Sequence, residues 1–285
     1  MPARSLAAAA PSVQGKSSAA YDAQAMAADI DYWRRRLAGG METLELPVDR
    51  RRPAFRSTAS QRLSCALPSR MHGEVCRLAS RLRAKPIAVM LGAFALLLQR
   101  YSGQRDMRIA VPLRHDGHAV EVPVGPSENT AVIRLSVAPG EGFSSLVEQA
   151  ERYLAEARAH GRLPFASIVR SIAVPRSMSN TPLCQVMFSE LPAIAPGRYG
   201  DLKLRAFDDA IGRGQYDLSL NVAPSDHGCT LLLDYSSTLF YMSTVQRMLS
   251  HYVALLEQLT HSASSAARPM ASLELRHVEG AAAAA

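Results

Sequence analysis

Apolar residues return at helical spacing over residues 23–37, where Met26, Ile30, Trp33 and Leu37 fall near one stripe before Gly39-Gly40 stops the run. Residues 61–67 alternate instead. Leu63, Cys65 and Leu67 point one way and Arg62, Ser64 and Ala66 the other, which predicts a half-buried strand. Ser69 is the expected N-cap of a helix reaching residue 83, and Pro86 suits the first turn of a second helix to residue 101. Ile87, Met90, Leu91, Phe94, Leu97 and Leu98 make that second helix apolar on most faces, so it is predicted to be central and to end at Gly103. Residues 107–113 predict a short buried strand and 115–126 a loop. Residues 129–137 predict a strand with Ala131, Ile133, Leu135 and Val137 on one face. An amphipathic helix over 143–160 and a short one from Pro164 to residue 172 follow, then strands at 183–188, 202–207, 216–222 and 229–235. A helix over 243–259 buries Val245, Met248, Leu249, Tyr252, Leu255 and Leu256. Helices and strands are interspersed, with several consecutive strands late in the chain. The expected fold class is α/β, a mixed sheet covered by helices.

The two ends break this pattern. Residues 1–22 and 262–285 are rich in Ala and Ser, and the second ends in five alanines. Both are expected to be disordered, as leader and tail, leaving a folded region of 23–261. Composition changes the picture little. Hydrophobic residues make up 48% and charged residues 20% of the 285, a globular balance able to bury a core. The net charge of +7 is almost all Arg, in short clusters such as 34–36 and 50–52 with acids nearby, and reads as a solvated face. No long basic stripe or interleaved aromatics suggest nucleic acid, and no apolar run has the length of a membrane span. The four cysteines have no C-x-x-C spacing, which suits reduced, mostly buried thiols in a cytoplasmic protein.

Candidate chemistry is sparse. His115-Asp116-Gly117-His118 packs two imidazoles and a carboxylate into the predicted loop, from which a metal site or a general base can be built; a solvated polar turn explains it as well. His160 ends a helix, where a cation favours the dipole. There is no G-x-S-x-G, P-loop or G-x-G-x-x-G. No catalytic residue and no metal ligand is assigned.

Ordered phrases carry a sharper signal. Asp31-Tyr32-Trp33-Arg34-Arg35-Arg36-Leu37-Ala38-Gly39, followed by Leu44-Glu45-Leu46-Pro47-Val48-Asp49-Arg50-Arg51-Arg52-Pro53, resembles the YWRxxLAG…LELPxDRPRP phrase of nonribosomal peptide synthetase condensation domains. Residues 96–104 resemble LLxRYTGQ, and Asn129-Thr130 with Arg134 resembles FVNTxxxR. His160 with Pro164-Phe165 resembles HQDxPFE, and Arg176 with Ser179, Pro182 and Leu183 resembles RDxSRxPL. Gln185 to Phe188 resembles FQVMF, Tyr216-Asp217-Leu218 resembles FDL, and Asp234-Tyr235 with Leu239-Phe240 resembles EYxTDLF. The phrases run in order over residues 31–260.

The resemblance implies one lobe of chloramphenicol acetyltransferase type, the C-terminal of two that together form an active-site tunnel. It implies amide formation between acyl groups tethered to phosphopantetheine on acyl or peptidyl carrier proteins, with no cofactor bound directly. Asn129, Thr130, Arg134, His160, Pro164, Phe165, Ser179, Tyr216 and Asp217 become candidates for tunnel lining or for structural roles within the motifs.

The departures matter as much. The family's HHxxxDG precedes the phrase at Tyr32, and this sequence has no adjacent His pair. His160-Gly161-Arg162 keeps the His but loses the Gln and Asp, and Ser177 stands where the family has Asp. Half a tunnel without that His cannot position both thioester and amine. The chain alone is therefore expected to be inert in condensation, a separate N-terminal lobe being a possible partner. Two other readings stand beside this one: a non-catalytic module docking carrier proteins or a synthetase, and an acyltransferase using His115 or His160 with CoA, against which neither His has an orienting partner visible in sequence.

Overall fold

Alternation becomes a sheet with one greasy and one polar side. The computed structural model describes residues 23–39, 42–114, 128–172, 174, 177–192, 197–199, 202–204, 214–225, 228–261 and 265–276. In chain order the strands are β1 (Ser60–Pro68), β2 (Asp106–Arg114), β3 (Glu128–Ser136), β4 (Val186–Glu190), β5 (Gly197–Tyr199), β6 (Leu202–Leu204), β7 (Leu218–Ser225) and β8 (Gly228–Ser236). Six of them form a mixed sheet in the order β1-β8-β7-β4-β2-β3, while β5 and β6 pair separately. The central strand β4 runs parallel to both neighbours, β2 and β7; the remaining pairs are antiparallel.

Register puts Leu63, Leu233, Leu220 and Phe188 on one rung across four strands, and all four are buried. Against that side pack α2 (Ser69–Arg81), α3 (Pro86–Ser102), α4 (Phe143–Ala159) and α6 (Met242–Thr260). The helix predicted to be central is central. Thirteen residues of α3 are buried, Phe94 meets Phe188 at 5.9 Å, and the Tyr252 hydroxyl of α6 donates to the Met90 carbonyl at 3.0 Å. The opposite side of the sheet carries a polar chain across β1, β8, β7 and β4. Arg62 pairs with Asp234, Asn221 donates to Asp234 at 2.9 Å, and Ser189 donates to Asn221 at 2.6 Å. Each polar side chain in this row is matched, as the low interior dielectric demands.

Two further helices, α1 (Ala23–Leu37) and α5 (Phe165–Ile172), pack on each other near the β3 edge. Several expectations are corrected here. Met26 of α1 stands exposed while Asp29 is buried, because α1 turns Asp29 towards α4. Ser69 is the first residue of α2 and caps nothing; β1 runs straight into the helix and Pro68 takes the cap position. The strand expected from residue 183 starts at Val186, since Leu183 sits at φ 68°, outside strand geometry. Residues 216–217 precede their strand, and the strand at 202 ends at Leu204 in the separate two-stranded pair.

The disordered tail expected from 262 is also corrected over 265–276. Two 3-10 turns bury Ala266, Met270 and Leu273, and Arg100 donates to the Met270 and Leu273 carbonyls. Sparse apolar anchors in Ala/Ser-rich text suffice when a neighbouring guanidinium satisfies the backbone. The expected leader, residues 1–22, and the histidine loop, 115–126, lie outside the described residues.

Candidate functional site

The candidate residues do not converge on one site; they fall into three groups. The first surrounds the turn between α4 and α5, beside the start of β3. Asn129 spends its whole carboxamide on backbone. Its Nδ2 donates to the Gly161 and Leu163 carbonyls at 2.8 and 2.7 Å, and its Oδ1 accepts from the N–H groups of Thr130 and Phe165 at 2.9 and 3.1 Å. Pro164 opens α5, its carbonyl accepting from Ser167 at 2.8 Å, and Phe165 packs on the core. The turn is tight enough to require Gly161, where a Cβ would lie 2.5 Å from Leu113 Cδ1 and 2.8 Å from the Ala157 carbonyl oxygen.

His160 follows α4 and does more than cap it. Its Nδ1 lies 2.7 Å from Asp29 Oδ1, its ring stacks on Tyr32 at 3.8 Å, and its carbonyl accepts from Trp33 Nε1 at 3.1 Å. The Tyr32 hydroxyl in turn donates to Glu156 at 2.8 Å; burial, then this carboxylate, push the phenol above its ordinary pKa. So His160 does have an orienting partner, which sequence did not reveal: Asp29, 131 residues away. Among the described residues, however, no hydroxyl or thiol is hydrogen-bonded to this ring. A His–carboxylate pair without a nucleophile staples α1 to α4 and activates nothing. His115 and His118 lie outside the described residues.

Arg134 forms the second group. Its guanidinium grips Asp106 at 2.8 Å and donates to the Arg36 and Ala38 carbonyls, while Arg108 donates to those of Leu37 and Gly39. Two strand arginines thus satisfy the last carbonyls of α1, which are orphaned by helix geometry. Gly39, at φ 69°, makes the turn.

The third group lies at the other end of the parallel strands. Asp217 takes a two-pronged ion pair from Arg52, whose Nη1 reaches Oδ1 at 3.0 Å and also leans on the Ser179 carbonyl at 3.4 Å. Arg56 donates to Thr181 Oγ1 at 2.9 Å and to the Gln215 carbonyl at 3.0 Å. Tyr216 is buried, which pushes its phenol up. Arg52, Arg56 and Thr181 were not singled out in sequence; the arginines sit in a Pro/Arg-rich connector that looks merely solvated. Their signal was the order of the phrases, since three stretches distant in sequence meet here.

Between these groups, at the C-terminal ends of β2, β4 and β7, opens a cleft of about 390 Å³. Val111, Leu113, Leu154 and Phe188 supply apolar wall, and Arg158 and Glu190 the charge. Among the described residues no three His, Cys, Asp or Glu side chains assemble a metal site, and no helix is long and apolar enough to cross a membrane by itself.

With this geometry in view, the comparisons are decisive. The condensation domain family matches residues 15–277. The chain belongs to that family. It is 31% identical over 261 residues to surfactin synthase subunit 1 of Bacillus subtilis, covering 89% of this chain but 7% of that protein. It is 33% identical over 228 residues to phosphinothricin tripeptide synthetase PhsC of Streptomyces viridochromogenes, covering 77% of this chain and 20% of that one. Among solved structures, the X-domain from teicoplanin biosynthesis superposes with a TM-score of 0.75 at 23% identity, covering 88% of this chain and 57% of that chain. The condensation domain of the Monacolin K polyketide synthase MokA gives 0.75 at 19% identity, covering 86% and 59%. The chain thus spans a small part of its curated relatives and somewhat over half of these solved chains. Its fold is the chloramphenicol acetyltransferase-like α/β arrangement of condensation domains, as expected, and its family is that of nonribosomal peptide synthesis.

Proposed function

We propose that this chain supplies the C-terminal lobe of a condensation domain that joins carrier-bound acyl and aminoacyl groups through an amide bond. In this reading the acceptor amine attacks the donor thioester carbonyl, the carrier thiol leaves, and the amine's proton is lost. The observation that carries it is the cleft at the strand ends. It offers apolar wall and a flanking Arg158, which suit binding and orientation of an acyl chain, but no nucleophile–base pair. Orientation without a base is half of what the reaction needs. The other half falls to an HHxxxDG lobe, a motif absent from this sequence. Phosphopantetheine enters as the arm of partner carrier proteins.

The test is an amide-formation assay with two loaded carrier proteins, run with the chain alone and with a co-expressed HHxxxDG lobe. Product is expected only in the second arm. Turnover by the chain alone overturns the division of labour. A second reading, a non-catalytic docking module, is favoured if carriers bind but no partner lobe restores product; the Arg-rich surface and net charge of +7 support it through attraction to acidic carriers.

A further inference from the structure

Six large hydrophobic side chains stand exposed among the described residues, and five of them lie along one ridge. The ridge is the connector between α1 and β1, residues 47–56, with the segments it touches. At one end Val48 (37% exposed) neighbours Tyr241 (50%) and Met242 (42%), held there by the Asp49 and Arg50 N–H groups donating to the Leu239 carbonyl at 2.9 and 3.1 Å. At the other end Phe55 (67%) and Met178 (69%) are brought together by the Arg56 N–H donating to the Met178 carbonyl at 2.8 Å. The arginines of the connector are interleaved with these knobs. Arg50 lies over the Tyr241 ring at 4.8 Å, Arg51 is exposed, and Arg52 and Arg56 anchor the segment to Asp217 and Thr181.

Two physical points bear on the occupant. A connector without regular structure normally gains nothing from presenting Phe and Met to water, and clustered exposed apolar side chains mark interaction sites. This connector is also pinned at both ends, so it offers its side chains without the ordering cost that weakens loop interfaces. Its size fits a transient partner. Five apolar side chains are too few for the large, predominantly hydrophobic interface of an obligate lobe or subunit, but suit contacts below ~1,200 Å². Its charge fits an acidic one: Arg50, Arg51, Arg52 and Arg56 stand against Asp49 and Asp217, of which Asp217 is already neutralised by Arg52 and Asp49 is bonded to Thr244 and the Tyr241 N–H.

We infer that this ridge is a docking surface for a folded carrier protein with an acidic, apolar-studded face, visited transiently while substrate is delivered. The inference rests on the carrier-dependent reading above and adds the surface that does the work. Tyr241 and Phe55 seat in the partner, and Arg51 and Arg50 supply the attraction and its salt sensitivity.

The test titrates the full chain into an isotope-labelled holo peptidyl carrier protein, followed by NMR at low and high salt. Wild type is compared with the double variant Phe55→Ser/Met178→Ser and with Arg51→Glu, whose side chain makes no described contact and so leaves the fold in place. Both variants are expected to weaken binding by about tenfold or more, and high salt to weaken wild-type binding further. Wild-type binding that both variants leave unchanged overturns the ridge while the carrier reading stands. No wild-type binding at low salt overturns both. Concentration-dependent dimerisation of the wild type that the double variant abolishes, without an effect on carrier binding, assigns the ridge to a second copy and also overturns the proposal.

Discussion

Asn129, His160 and Arg134 look like functional residues in sequence and act as fasteners in the fold. Each ties α1 or the α4–α5 turn to the body through groups that water would otherwise have to satisfy. His160 offers the most direct check, because Trp33, the sole tryptophan, is buried and donates to the His160 carbonyl. His160→Ala removes the stack on Tyr32 and leaves the buried Asp29 without this partner. The expected outcome is a loss of about 1–3 kcal/mol in urea unfolding, with a red-shifted Trp33 emission as α1 loosens. An unshifted spectrum and unchanged midpoint refute the staple. None of this pairing was legible in sequence. Asp29 and His160 are 131 residues apart, and Arg52 and Asp217 165 apart; no local spacing encodes who meets whom at that separation.

Elements tell the opposite story. The helix α3 announced itself because its apolar residues leave almost no polar face, and β1 because Leu63, Cys65 and Leu67 alternate with polar neighbours. Burial patterns of this kind are local and survive translation into structure. Ends of elements are less legible, since they depend on groups supplied from elsewhere. The start of α6 is the example. No residue of its own N-cap bonds its first turn; the Asp49 carboxylate arrives from the connector, accepting from the Tyr241 N–H at 2.7 Å and the Thr244 hydroxyl at 2.9 Å. A carboxylate at a helix N-terminus also favours the dipole. Asp49→Ala is therefore expected to cost about 1 kcal/mol, measurable by thermal or urea unfolding, and to free residues 48–50 to limited proteolysis. A variant that resists protease as the wild type does speaks against this cap.

At the scale of the whole molecule, the core is a reservoir of neutral groups. All four cysteines are free, and burial pushes the Cys184 thiol up to about 12 and the Cys229 thiol up to about 11. An unfolded thiol ionises near ~8.5. Because the folded values are raised, the protonated form belongs to the native state. Its contribution is fully present below about pH 8.5 and drains away as the pH climbs through 11 and then 12. Unfolding midpoints are expected to be insensitive to these thiols at neutral pH and to fall steeply on the alkaline side. Iodoacetamide at pH 8 is expected to label Cys76, the one thiol that is not fully buried, and to spare Cys65, Cys184 and Cys229 until denaturant is added, as read by mass spectrometry. Labelling of Cys184 in the native protein contradicts that core.

The strand order has a consequence for the chain's life on the ribosome. The edge strand β1 hydrogen-bonds only to β8, so Pro68 waits for Gly228, about 160 residues later. At typical elongation rates of ~5–20 residues per second, β1 spends roughly ten to thirty seconds with both edges bare. During that interval Leu63, Cys65 and Leu67 have helices α2 and α3 beside them but no strand to complete the sheet, the circumstance in which nascent β-edges find the wrong partner. The lobe closes its first strand with nearly its last, so its fate is decided late in synthesis, and a ribosome that pauses before β8 holds a chain that cannot yet finish folding.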